Sequence, residues 1–178
     1  MSRMNIPAVD SATGATADVY ERVKKVAGRI PNTYAALGYL SPSSLGTFLD
    51  AQAALARGSL SQQELQIIKL VVSTKAGCDV CVAAHSFLGK LSGLPAETLR
   101  AVRAGRPTGD AKRDALVHFV LLLQATSGSI TQREFAAIRS AGYTDTQLAE
   151  IALAMGLITF TNTFNRINDT DVDFPPVD

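Results

Sequence analysis

Ser61-Gln-Gln-Glu64-Leu-Gln66-Ile-Ile-Lys-Leu-Val-Val-Ser-Thr-Lys-Ala76-Gly77-Cys78-Asp-Val-Cys81-Val-Ala-Ala-His85-Ser-Phe-Leu-Gly-Lys-Leu91 decides the fold. Ser61 and Glu64 are spaced as a capping box, in which each side chain takes the other residue's amide. Leu65, Ile68, Leu70, Val71 and Val72 make the following helix heavily apolar up to about Ala76. Gly77 breaks it, and Cys78 opens a second helix that ends near Ser92-Gly93. Working outward, apolar residues recur near every 3.6 positions and alternating β-branched runs are absent, so the domain reads as an all-α helical bundle of about eight helices.

The spacing predicts a helix over about Ala17 to Arg29 that stops before Pro31, and a short one after Asn32 carrying Tyr34, Leu37 and Leu40. Ser41-Pro42 restarts the chain, with Ser41 as cap and Gly58 just past the end near Arg57. Further helices run from Pro95 to Arg103 and from about Asp110 to Thr126, the latter with Leu116, Phe119, Val120 and Leu123 inward. Thr131 and Glu134 form a second capping box, and a last helix spans about Thr146 to Asn165. The chain reads as one domain, 1–178, with its core motif at 61–93 and an acidic C-terminal tail at 166–178, expected to be a solvated or partner-hugging extension.

The 178 residues are 47% hydrophobic and 19% charged, below the roughly 25% charged fraction common in globular domains. With mean hydropathy at +0.14, part of the apolar surface should be covered by another subunit, so a homo-oligomer is expected. Seventeen basic against 16 acidic residues leave a formal charge of +1, which gives no electrostatic footprint for nucleic acid or anionic lipid. Ile151 to Phe160, the most apolar stretch, is too short to span a membrane and reads as a buried helix. The first 20 residues lack the pattern of a secretory signal, so the expected location is cytoplasmic.

Cys78 and Cys81 are the two cysteines, and with His85 they stand at i, i+3 and i+7 on one helix face. One imidazole can therefore serve both sulfurs. A thiolate is favoured near a helix N-terminus or a protonated imidazole, and Cys-x-x-Cys spacing lets the second thiol resolve what forms on the first. Two other readings use the same residues: two cysteines packed under a neutral core histidine, or a zinc site. A structural zinc site wants a fourth ligand, and the remaining histidine, His118, sits in an apolar helix where a core or subunit-contact role is expected. Dithiol redox chemistry needs only the groups present.

Lys75-Ala-Gly-Cys78-Asp-Val-Cys81-Val-Ala-Ala-His85, after the helix opened by Leu60-Ser61, resembles the core motif of the AhpD-like, or carboxymuconolactone decarboxylase, superfamily. Gly142 to Ile151, Asn165-Arg166-Ile167 and Asp171-Val172-Asp173 are similar to its peroxidase-related branch. The resemblance implies an all-α bundle assembled as dimers, trimers or hexamers. It also implies a thiol-dependent alkylhydroperoxide reductase or disulfide oxidoreductase, with a hydroperoxide substrate, an external dithiol or protein reductant, and no bound cofactor or metal. By resemblance Cys81 attacks the peroxide, Cys78 is the resolving and more accessible thiol, and His85 is the base linked to Cys81.

The family relay often carries a glutamate twelve positions before the first cysteine, which here is Gln66. Gln66 can orient an imidazole or a water but takes no proton. Glu64 lies two residues earlier, about 200° around the helix, and is the other candidate for the relay. Tyr34 and Asn165 are expected to border the site. Two other functions use the same motif: a lyase in which His85 moves protons on a small organic acid, and a non-catalytic oligomeric redox-sensing module.

Overall fold

A computed structural model of the chain describes residues 2–177. After a single 3₁₀ turn at Val9–Ser11 come nine α-helices among the described residues: α1 (Gly14–Ala27), α2 (Asn32–Leu40), α3 (Pro42–Ala56), α4 (Gln62–Ala76), α5 (Asp79–Leu91), α6 (Ala96–Arg103), α7 (Ala111–Thr126), α8 (Gln132–Ser140) and α9 (Asp145–Asn168). This accords with the expected all-α bundle of about eight helices, short ones included. Such pieces are marginal alone; α6 is held by burial of Leu99 and Val102, α8 by Ile138 and the Thr131–Glu134 capping box.

α4 is the centre of the bundle and packs against α5, α6, α7 and α9. Nine consecutive residues, Leu65 to Ser73, are buried, as expected of a helix surrounded on all sides. Its leucines, isoleucines and valines form the main core with Leu99, Leu116, Val120, Ile151 and Ile158. Val19, Tyr20, Val23, Leu37, Leu45 and Phe48 of α1–α3 form a second core, and Leu157 of α9 packs against both.

Several local expectations change. Ser41 precedes α3 but caps no amide; its hydroxyl bonds that of Ser44 at 2.7 Å instead. His118 is exposed on α7, two positions from Leu116 and so turned away from the buried stripe, which removes it from the core. Ile151, Ala154 and Ile158 are buried on α9, whereas Leu153 and Phe160 are exposed.

α9 runs three residues past its expected end because the N-terminal segment closes it. The Arg3 amide donates to the Asn168 carbonyl, the Met4 amide to the Asn168 side chain, and the Arg3 guanidinium to the carbonyls of Arg166 and Ile167. The acidic tail is tied to the body at several points, although Asp171, Val172 and 175–177 stay exposed. Asp173 pairs with Arg29 at 2.5 Å and accepts the Asn32 amide, while Asp171 accepts from Ser2. Phe174 lies 4.7 Å below the Arg29 guanidinium and beside Phe87. The tail thus straps α9 to the start of α2.

Candidate active site

Gly77 ends α4 at φ 62°, the left-handed region that costs glycine least. Its amide donates to the Ser73 and Thr74 carbonyls, and Cys78, extended, becomes the residue before α5. This two-residue turn folds α5 back along α4, setting His85 against Gln66 and bringing Cys81, His85 and Lys69 onto one cavity. Arg166 of α9 clasps the turn, its Nη1 donating to the carbonyls of Ala76 and Gly77.

Cys78 and Cys81 are joined by a disulfide, with their Cα atoms 5.3 Å apart. Both are buried, at 2% and 4% exposure, so Cys78 is not the more exposed of the pair. They face different spaces. Cys81 lines a largely apolar cavity of about 430 Å³ walled by α1–α5, α9 and the tail, together with His85, Lys69, Gln52, Tyr34 and Phe87. Cys78 lines a cleft of about 230 Å³ with Asp79, Arg166, Asp169 and Asp171. Asn165 borders both, and its Nδ2 donates to Cys81 Sγ at 3.2 Å. Its Oδ1 is buried without a partner among the described residues.

His85 Nδ1 lies 2.9 Å from Gln66 Oε1. An amide oxygen only accepts, so Nδ1 carries the proton and Nε2 keeps its lone pair. Burial, and then the positive charge of Lys69, push the imidazole pKa down to about 3, so the ring is neutral throughout the physiological range. Lys69 is itself buried at 7% exposure, which lowers its pKa to about 8. Burial also pushes the Tyr34 hydroxyl up to about 12.

Four of the five residues singled out in the sequence are linked pairwise: Cys78 to Cys81 by the disulfide, Cys81 to His85 by the cavity they share, and His85 to Gln66 by a hydrogen bond. Glu64 is not among them. Its carboxylate accepts from the Ser61 amide and hydroxyl at 2.8 Å and pairs with Lys112 at 3.3 Å, at the opposite end of α4 from the disulfide. Burial alone would raise its pKa; Ser61 and Lys112 outweigh that and hold the carboxyl below its ordinary value. Tyr34 and Asn165 line the cavity as expected. Lys69 and Gln52 went unnoticed, although a cation inside Ile67-Ile68-Lys69-Leu70-Val71-Val72 is itself a signal. Among the described residues no three His, Cys, Asp or Glu side chains converge to hold a metal, and no helix is long and apolar enough to cross a membrane.

The chain has the AhpD-like fold, an all-helical bundle, here with a Cys-x-x-Cys disulfide at the start of α5, and solved structures agree. An uncharacterized peroxidase-related protein from Ralstonia eutropha JMP134, described as an alkylhydroperoxidase AhpD core, matches with a TM-score of 0.83 at 21% identity, over 97% of this chain and 92% of that one. A peroxidase-related protein from Silicibacter sp. TM1040 matches at 0.79 and 22% identity, over 96% and 91%. The debrominase Bmp8, as a cysteine-to-alanine variant in complex with 2,3,4-tribromopyrrole, matches at 0.77 and 16% identity, over 97% and 94%. No family model matches the sequence, nor does any curated protein.

Proposed function

We propose that the chain is a thiol-disulfide oxidoreductase that reduces hydroperoxides and is regenerated by an external dithiol or protein reductant. The observation that carries this reading is the placement of one disulfide between two spaces, with Cys81 and His85 on the apolar cavity and Cys78 on the cleft beside Arg166. In the reduced protein the Cys81 thiolate attacks the terminal peroxide oxygen. The O–O bond breaks, the alkoxide leaves as the alcohol after taking a proton, and Cys81 becomes a sulfenic acid. Cys78 then attacks that sulfur, water leaves, and the disulfide forms. A dithiol attacking Cys78 passes through a mixed disulfide and returns both thiols.

Asn165 donates to the Cys81 sulfur and so favours its thiolate. Gln66 fixes the tautomer that leaves His85 Nε2 as acceptor, and because the imidazolium is disfavoured, the ring passes a proton without storing it. A dithiol cycle of this kind suits a reducing compartment, and the reading includes a cytoplasmic location on that ground. The exposed Leu153 and Phe160 of α9 support a homo-oligomer, whose subunit number light scattering would give.

Cys81→Ser should abolish peroxide consumption, while Cys78→Ser should retain one turnover and leave a sulfenic acid that dimedone labels. Labelling of neither variant contradicts the assignment. A second reading, reductive dehalogenation of an aromatic ring, is favoured by the Tyr34, Phe48 and Phe87 rings along the cavity and by the likeness to Bmp8. Halide release in place of hydroperoxide consumption would select it.

A further inference from the structure

Lys69 lines the cavity and has no part in the cycle above. Its ammonium is buried in the main bundle, with a hydrogen bond to Gln52 Oε1 at 2.8 Å, a neutral acceptor that satisfies one of three N–H groups. Among the described residues no Asp or Glu lines the cavity. The other cation there, Arg29, is already neutralised by Asp173. A buried ammonium without a counter-charge is unfavourable, and within a protein it is kept where something else supplies the anion. In the oxidised protein Cys81 cannot supply it, because both sulfurs are in the disulfide.

The rest of the lining is apolar: Phe48, Ile158 and Leu49 deep in the fold, and Phe87, Leu88 and Leu91 towards an exposed mouth. At about 430 Å³ the space falls within the range of small-molecule sites. We propose that this cavity binds an apolar compound with an acidic head, the head neutralising Lys69 and the body lying against the aromatic and aliphatic wall. Resting on the oxidoreductase reading, this makes the substrate the hydroperoxide of an apolar carboxylic acid, which the dithiol reduces to the corresponding hydroxy acid.

The test uses octanoate and 1-octanol, titrated calorimetrically into the disulfide form, in which no turnover occurs. Octanoate should bind at least about tenfold more tightly than octanol at pH 7, the loss expected when a buried charge lacks its partner. Lys69 shares the cavity with His85, Tyr34, Gln52 and Arg29, the last paired with Asp173; between pH 7 and 9.5 the ring and phenol stay neutral. Lys69 alone titrates there. If the anion restores its ordinary pKa, octanoate affinity should fall about 25-fold across that window while octanol affinity stays level.

Lys69→Met should remove both the tenfold preference and the pH dependence. Equal affinity for the two probes, binding of neither, or octanoate binding that Lys69→Met leaves unchanged would overturn the proposal. Should the variant fail to fold, the wild-type comparison and its pH dependence decide alone. The octanoate pattern without hydroperoxide consumption would sink the peroxidase reading and leave the Lys69 site standing. Consumption without any octanoate preference would do the reverse.

Discussion

Gln66→Glu is the most informative single change, because it places a carboxylate where Gln66 Oε1 now sits, 2.9 Å from His85 Nδ1. At an effective dielectric of about 20, a carboxylate and an imidazolium at that separation attract by about 6 kcal/mol. Burying both charges takes back several kcal/mol, leaving a net of about 3 kcal/mol, or about two pKa units. The His85 pKa should therefore rise from about 3 to about 5, and Lys69, one turn along α4, should gain a counter-charge. Nitrogen-detected NMR of the imidazole in the oxidised protein reads this directly: wild-type His85 should show no titration above pH 4, and the variant should show one near pH 5. In the reduced protein the recovered base should raise kcat/KM for a hydroperoxide. An imidazole that still fails to titrate refutes the electrostatic reasoning, and a restored pKa without a gain in rate refutes the idea that the glutamine slows the relay.

Lys69→Met should stabilise the fold at pH 7. Burial lowers the Lys69 pKa from 10.5 to about 8, so its cost is fully present below pH 8 and is relieved as pH rises towards 10.5. The gain should approach about 3 kcal/mol in urea unfolding at pH 7 and vanish near pH 10.5, and a variant no more stable than wild type would contradict the burial of a charged amine. Glu64→Gln removes the anionic half of the capping box and the Lys112 pair, and should cost about 1 kcal/mol of thermal stability. Because the Glu64 pKa is depressed, that loss should shrink as pH falls through its titration. Peroxide turnover should change by less than about twofold, since a loss near the 10²-fold expected of a general acid or base would return Glu64 to the relay.

What could be read from the sequence follows the range of the interactions. The α4–α5 hairpin is legible because its determinants are local: the Ser61–Glu64 box, the apolar run and Gly77 lie within 17 residues. The same holds for Thr131–Glu134, and Thr144–Gln147 forms a third box that was equally readable. Ser41 shows the limit of local chemistry, since Pro42 marked the helix start correctly but the hydroxyl found Ser44 in place of an amide. The tail's attachments were not legible because its partners are remote: Arg29 and Asn32 lie more than 140 residues before Asp173, and Ser2 lies 169 before Asp171. No periodicity within the tail carries that information. Lys69 falls between these cases, visible as a cation in an apolar run but meaningful only once α3 and α5 close around it.

The two spaces at the disulfide also constrain the direction of the proposed cycle. A thiolate attacks a disulfide along the S–S axis, opposite the sulfur that leaves. A reductant arriving through the cleft lined by Arg166 and Asp169 meets Cys78 and expels Cys81 as a thiolate. Cys81 is the sulfur better prepared to leave, since Asn165 Nδ2 already points at it and Lys69 contributes positive charge to the same cavity. Attack from the apolar side would expel Cys78 instead, which receives no such hydrogen bond among the described residues. Arg166 clasps the turn, Asn165 contacts Cys81, and the N-terminal segment and tail hold the end of α9 that carries both. Loosening that closure, for example with Asp173→Ala, should therefore slow reduction of the disulfide before it unfolds the bundle. A variant whose reduction rate stayed at the wild-type value would show that the tail does not position the sulfur pair.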